Sequence, residues 1–218
     1  IENRLSGSKR YKSKFYVGSS VYVQNNWLVN PKTLTYANPD ELNRNRLLFT
    51  TGISLHAGKP IRPRLDLVAE YFHQQSEGQD YQEYIEGTYQ KTGIRLSYTA
   101  AEITAKTLRY YQIKHEWLFS RNLFIGAFGE KLTDAYLYNQ ATTTDLRPSI
   151  NTYNFGLVTG GEISFQPGNR ISYHTGVRFR YGLTNIYAKN PETAYSLLSP
   201  SSTLSGRVYF SVQYHIGK

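Results

Sequence analysis

The sequence predicts an all-β fold: a closed antiparallel, up-and-down transmembrane β-barrel of about eight strands. Three observations predict it. Segment after segment alternates apolar and polar residues with period two, the connections between segments alternate short and long, and the aromatics of the apolar set gather at two heights. Of the 218 residues 39% are hydrophobic, and no apolar run approaches the ~20 residues of a membrane-crossing helix. Barrel strands carry apolar residues at only every second position, so this composition leaves a membrane barrel open.

Taken in order, Phe15, Val17, Val21 and Val23 alternate with Tyr16, Gly18, Ser20, Tyr22 and Gln24, and Leu47, Phe49, Ile53 and Leu55 with Thr50, Gly52, Ser54 and His56. Leu65, Leu67, Ala69 and Tyr71 oppose Asp66 and Glu70, with Val68 and Phe72 as exceptions. "LRYYQIKHEWLF" reads as one strand that sets Tyr111, Ile113, Trp117 and Phe119 against Gln112, Lys114 and Glu116. Next, Leu123, Ile125 and Ala127 face away from Gly126 and Glu130, although Phe124 and Phe128 share the polar side. Tyr153, Phe155, Leu157, Ile163 and Phe165 oppose Asn154, Gly156, Gly160 and Glu162. In "RISYHTGVRFRYGLTNI" the apolar set from Ile171 to Leu183 opposes Ser172, His174, Gly176, Arg178 and Arg180. Val208, Phe210, Val212 and Tyr214 oppose Arg207, Ser211 and Gln213 in the last strand. Successive strand residues point to opposite faces, so each segment has an apolar and a polar wall.

Short turns are expected at Gly58–Pro63, Ser120–Asn122 and Gln166–Asn169, where Gly, Pro, Asn and Ser supply turn chemistry. Long connections are expected at 28–45, 77–105, 139–151 and 188–202. Short turns at one end and long loops at the other are the asymmetry of an outer-membrane barrel. With the short turns at the bottom, Phe15, Trp117, Phe119, Phe165, Tyr173 and Tyr214 form a low aromatic girdle. Trp27, Phe49, Tyr71, Tyr111, Tyr153 and Tyr181 form a high one. The apolar wall is then expected to meet lipid, and Asp66, Glu70, Lys114, Glu116, Glu130, Glu162, Arg178, Arg180 and Arg207 to form a charged network in the lumen. A soluble lipocalin-like ligand-binding barrel is the alternative, because alternation alone does not say which wall faces water.

The absence of cysteine excludes disulfides, thiolate metal sites and a cysteine nucleophile. No metal-ligand spacing, phosphate-binding loop or basic helix is present, so no cofactor, metal or nucleic-acid partner is expected. The net charge of +9 is concentrated. Arg10, Lys12, Lys14, Lys59, Arg62, Arg64, Arg121 and Arg170 fall in the N-terminal segment (1–14) or the short turns, which gives the periplasmic rim of a barrel spanning 15–218 a cationic collar. Such a collar attracts anionic headgroups or an acidic partner domain.

The meander, the Gly-punctuated polar face of "GLVTGGEISFQPGN" and "GVRFRYGLTN", and the closing strand "GRVYFSVQYHIGK" resemble the small outer-membrane barrels grouped with OmpA; the tyrosine content and basic charge resemble the PorT-type barrels of the Bacteroidota. The resemblance implies a non-enzymatic barrel of the bacterial outer membrane with both termini periplasmic. Its contacts would be phospholipid and lipopolysaccharide, and it would serve as an accessory subunit of a secretion or uptake assembly. The competing expectation is a lipid-modifying barrel. Lipid A deacylases of this size resemble the same-strand pairs Ser54/His56 and Ser172/His174, but there the pair faces lipid, whereas here both fall on the polar set.

Overall fold

The structure, a computed structural model, describes residues 14–30, 44–114, 117–139, 142–168, 170–187 and 200–217, with backbone alone at 110–114 and 117. Eight long strands follow one another antiparallel: β1 (Phe15–Val29), β3 (Leu48–Arg62), β4 (Leu65–Ile85), β5 (Thr88–Lys114), β6 (Trp117–Asn139), β8 (Tyr153–Gln166), β9 (Ile171–Gly182) and β10 (Ser202–Ile216). Each pairs with its chain neighbour, and β10 returns to β1 with Phe15 opposite Ile216 and Val29 opposite Ser202. The eight therefore form a hydrogen-bonded ring with no free edge. Two short strands extend it, β2 (Arg44–Arg46) beside β4 and β7 (Thr143–Asp145) beside β6.

The strands are unequal. β4, β5 and β6 rise well past their neighbours at the end opposite the β3–β4 turn, and β2 and β7 flank the projecting part as a crown. Here the expected connection 77–105 is corrected. It is a hairpin with a two-residue turn at Glu86 and Gly87, both with positive φ (49° and 83°), the geometry that matches strand twist. Two bulges hide it in the sequence. In β4 the inward residues are Asp66, Val68, Glu70 and Phe72; after the register shift between Phe72 and Gln75 they are Gln75, Glu77, Gln79 and Tyr81. A second shift opposite Ser97/Tyr98 moves the inward set of β6 from Phe128 and Glu130 to Ala135 and Leu137. One inserted residue flips every later side chain, so a fixed-phase reading fails at that point.

The expected turn at Ser120–Asn122 is also corrected. Those residues lie within β6, and the break falls between Lys114 and Trp117, so "LRYYQIKHEWLF" spans two strands. Tyr111 is then the cross-strand partner of Phe119 at the short-turn end, not a member of the high girdle. Gln112 pairs with Leu118 across the same hairpin, and both strands of a hairpin can alternate in one phase, which is why they read as one.

Inside the ring, aromatic side chains sit opposite glycines. Phe128 faces Gly156 and Phe124 faces Gly160, where an added Cβ would lie 2.5 Å from each ring. These glycines give the two inward phenylalanines room that any side chain would close.

Candidate functional site: a charge-filled interior

The ring interior carries the chemistry. Glu70, Glu102, Glu130, Glu162, Arg178, Arg180 and Arg207 are all buried on its inner wall. At the centre is Glu102, whose carboxylate lies 2.6 Å from Arg178, 3.1 Å from Arg180 and 3.7 Å from Arg207. Arg178 also bonds Glu70 at 2.5 Å, and Arg180 bonds Glu77 at 2.9 Å and Glu130 at 2.7 Å. The three guanidiniums are stacked on rings: Arg180 lies 3.8 Å from the Phe128 centroid, Arg207 4.1 Å from Tyr22, and Arg178 5.1 Å from Phe124. Planar, weakly hydrated guanidinium suits both contacts at once. Towards the short-turn end, Lys106 donates to Glu162 at 2.9 Å, and Tyr209 donates to the same carboxylate at 2.6 Å.

Of the network expected from sequence, Asp66, Glu70, Glu130, Glu162, Arg178, Arg180 and Arg207 lie in the interior. Glu116 lies outside the described residues; Lys114 is placed only as the last residue of β5, next to the turn. The cation on Glu162 is Lys106. Glu77 and Glu102 were missed because they fall in the stretch assigned to a loop, and Lys106 because it lies between that stretch and the strand read from Leu108. The signal was present: Glu102, Thr104 and Lys106 alternate with Ala101, Ile103 and Ala105.

Arg10 and Lys12 lie outside the described residues. Lys14, Lys59, Arg62, Arg64 and Arg170 are exposed around the short-turn end; Arg121, expected in a turn, projects outward from β6. The outer wall is apolar: Ile53 is 66% and Leu123 67% exposed. Phe119, Phe165 and Tyr173 line up as successive cross-strand partners low on the wall, and Phe15 and Tyr214 are exposed there too. Trp27, Tyr71, Tyr153 and Tyr181 point outward nearer the other end; of Trp117 only the backbone is described. From Ile171 to Tyr181 every outward residue of β9 is apolar or Thr. At ~3.3 Å per residue and ~40° of tilt this spans roughly 25 Å.

The polarity of both walls then inverts within one strand. Along β5 the outward residues change from Ala105, Ile103 and Ala101 to Thr99, Ser97, Arg95 and Lys91. The inward ones change from Lys106 and Glu102 to Tyr98, Leu96 and Ile94. The inward apolar residues join Leu28, Tyr81, Leu137, Leu146, Ile150, Ile186 and Tyr187 in a plug across the crown end. Beneath it, cavities of about 40 and 20 Å³ lie among the described residues of the interior.

On the outer face of the crown Asp80 accepts from Arg95 and Tyr138, both at 2.5 Å, with Lys91 at 3.3 Å. Burial alone would raise its carboxyl, but those two hydrogen bonds, then the Arg95 and Lys91 charges, hold it below the ordinary value. A carboxyl depressed in the folded state stabilises above its unfolded pKa, and the contribution is lost as pH falls through the folded one. Amide exchange at 78–95, corrected for intrinsic rates, is therefore expected to be slow at neutral pH and to accelerate below pH ~4. In Asp80→Asn it should be fast at both; equal protection in the two proteins would remove Asp80 as the clasp of the crown.

No family model matches the chain, and no curated protein matches it in sequence. Among solved structures it is similar to the outer membrane protein OprG from Pseudomonas aeruginosa, with a TM-score of 0.53, 8% identity, and coverage of 95% of this chain and 98% of that one. Neisserial surface protein A aligns at 0.46 with 14% identity over 94% and 98% of the two chains. Ail, the attachment invasion locus protein of Yersinia pestis in complex with the heparin analogue sucrose octasulfate, aligns at 0.41 with 11% identity over 93% and 99%. The likeness to OprG shows the fold: an antiparallel up-and-down sheet closed into a ring.

Proposed function

We propose that this chain is a β-barrel of the bacterial outer membrane, with the crown outside and both chain ends periplasmic, serving as an accessory or scaffolding subunit of an envelope assembly. One observation carries the membrane reading: the inversion along β5, where the outward set passes from Ile103 and Ala101 to Ser97 and Arg95 while the inward set passes from Glu102 to Leu96. A strand in water throughout has no reason to exchange its two faces. A strand leaving lipid must, because its outer face then meets water and its inner face has to pack a core. The apolar outer wall speaks against the lipocalin-like alternative for the same reason.

The scaffolding role is supported by the filled interior. Salt-bridged side chains and the apolar plug occupy the space through which a solute would pass, so the surfaces available for work are the wall, the crown and the basic rim. Phospholipid and lipopolysaccharide cover the wall. The rim, with Lys59, Arg62, Arg64 and Arg170 at one end, suits an acidic partner or anionic headgroups. The lipid-modifying alternative requires a lipid-facing nucleophile, and Ser54, His56, Ser172 and His174 all point inward.

An epitope inserted between Glu86 and Gly87 is expected to bind antibody on intact cells, and one inserted at Pro63 only after the outer membrane is permeabilised. The reverse pattern would invert the topology. Arg62→Gln with Arg64→Gln is expected to release co-purifying protein from detergent extracts while the barrel stays folded. An unchanged co-purification profile would remove the rim as the docking surface.

A further inference from the structure

The interior at the short-turn end also holds a hydrogen-bonded chain that ends on Glu162, the carboxylate the charge network shares with Lys106 and Tyr209. Ser172 Oγ lies 2.8 Å from His174 Nε2, and His174 Nδ1 lies 2.9 Å from Glu162 Oε1. Ser172 Oγ is also 2.9 Å from His215 Nε2. The directions of these bonds follow from the groups. A carboxylate accepts only, so His174 Nδ1 carries the hydrogen, and in the neutral ring its Nε2 presents a lone pair. Ser172 has one proton, which it donates to that lone pair, and its oxygen accepts from His215 Nε2–H. The chain thus runs His215 to Ser172 to His174 to Glu162. Its last three members have the order and contacts of an acyl-transfer triad.

Two further observations mark this as a site and not only a satisfied network. Ser172, His174 and His215 line the cavity of about 40 Å³, which has room for roughly three water-sized groups. Gln166 lines the same cavity, is 8% exposed, and its Nε2 has no hydrogen-bond partner among the described residues. Phe165 pairs with Tyr173, so one step further along the same register Gln166 stands opposite Ser172 on the neighbouring strand. A buried amide donor beside a base-activated hydroxyl is what an anionic tetrahedral intermediate requires. The other Ser/His pair makes the contrast: Ser54 bonds Glu70, and His56 lies 3.4 and 3.5 Å from Ser20 and Ser211.

We propose that Ser172 is an activated nucleophile for small, acetyl-sized esters entering from the short-turn end. Ser172 Oγ attacks the ester carbonyl carbon and its proton passes to His174 Nε2, with Glu162 holding the imidazolium and Gln166 donating to the carbonyl oxygen. The carbon–oxygen bond to the alcohol breaks, and the alcohol leaves with the proton from His174. Water then attacks the acyl-serine, gives its proton to His174, and releases the acid and free Ser172. The cavity admits no long acyl chain, so the substrate class differs from membrane lipid.

The test uses the folded full chain in detergent and so stands apart from the question of membrane or partner. Methanesulfonyl fluoride is expected to add one methanesulfonyl group at Ser172, the sulfur–fluorine bond breaking as the serine oxygen–sulfur bond forms, and to leave Ser54 unmodified. His174→Gln should slow this by ~100-fold or more. Gln166→Ala, which keeps the triad, should still be sulfonylated but should hydrolyse p-nitrophenyl acetate ~100-fold more slowly. Failure of the folded protein to label at Ser172 would overturn the proposal, as would labelling that is indifferent to His174. Should His174→Gln not fold, unequal effects of Gln166→Ala on the two readouts still support the proposal, and equal effects reject it.

Discussion

Replacing Glu102 with alanine is expected to cost more stability than any other single truncation of the inner wall. It removes the one carboxylate that three buried guanidiniums share, at 2.6, 3.1 and 3.7 Å, and leaves them facing one another inside the ring. Breaking a buried ion pair from one side costs about 3–5 kcal/mol, because the partner remains desolvated without compensation. Arg178 keeps Glu70, and Arg180 keeps Glu77 and Glu130, but Arg207 is left, among the described residues, with the neutral amides of Gln24 and Gln75 as hydrogen-bond partners. The urea midpoint in micelles should fall accordingly, and the heat-modified gel band should be weakened or lost. Thr159→Leu, on the outer wall, should leave both unchanged. A Glu102→Ala protein as stable as the parent would mean that the arginines are solvated and the interior is open.

The second large effect is expected outside the ring. Ile125 is 64% exposed, sits on β6 between Leu123 and Ala127, and lies near the middle of the apolar band. Ile125→Arg is expected to destabilise the protein in phospholipid vesicles by about 2–4 kcal/mol, the cost of an arginine near the midplane. Thr133→Arg, further along the same face of the same strand, at the bulge and past the inversion, should cost nothing measurable. The pair tests the membrane reading against a soluble ring, in which an arginine at an exposed position is harmless at both sites. Equal, negligible costs in vesicles would place Ile125 in water.

Why the sequence was readable in some places and silent in others follows from period and phase. The outer wall of β9, from Ile171 to Tyr181, keeps strict alternation because an apolar outer surface on one side and a narrow polar interior on the other exclude exceptions. Phe124 and Phe128, which looked like errors of pattern, are paid for by Gly160 and Gly156 on the next strand, and a cross-strand pairing is not written in either segment alone. The crown was illegible for two reasons that acted together: bulges after Phe72 and opposite Ser97/Tyr98 shift the phase, and the two faces of β5 exchange polarity. Glu102, in the ring below, was lost because the expected loop ran on to Ala105, and Lys106 because it lies at that loop's edge.

By itself the sequence determined that the chain is built of alternating strands without cysteine, and which residues share a face of each strand, because side-chain direction in a strand depends only on parity. It also determined that positive charge collects at the short-turn end. Tertiary structure alone decided that the strands close from β10 back to β1, that three arginines converge on Glu102 from two strands, and that Ser172 rather than Ser54 meets a histidine backed by a carboxylate. Those outcomes depend on register between strands and on distances across the ring, and neither quantity is a property of any one segment.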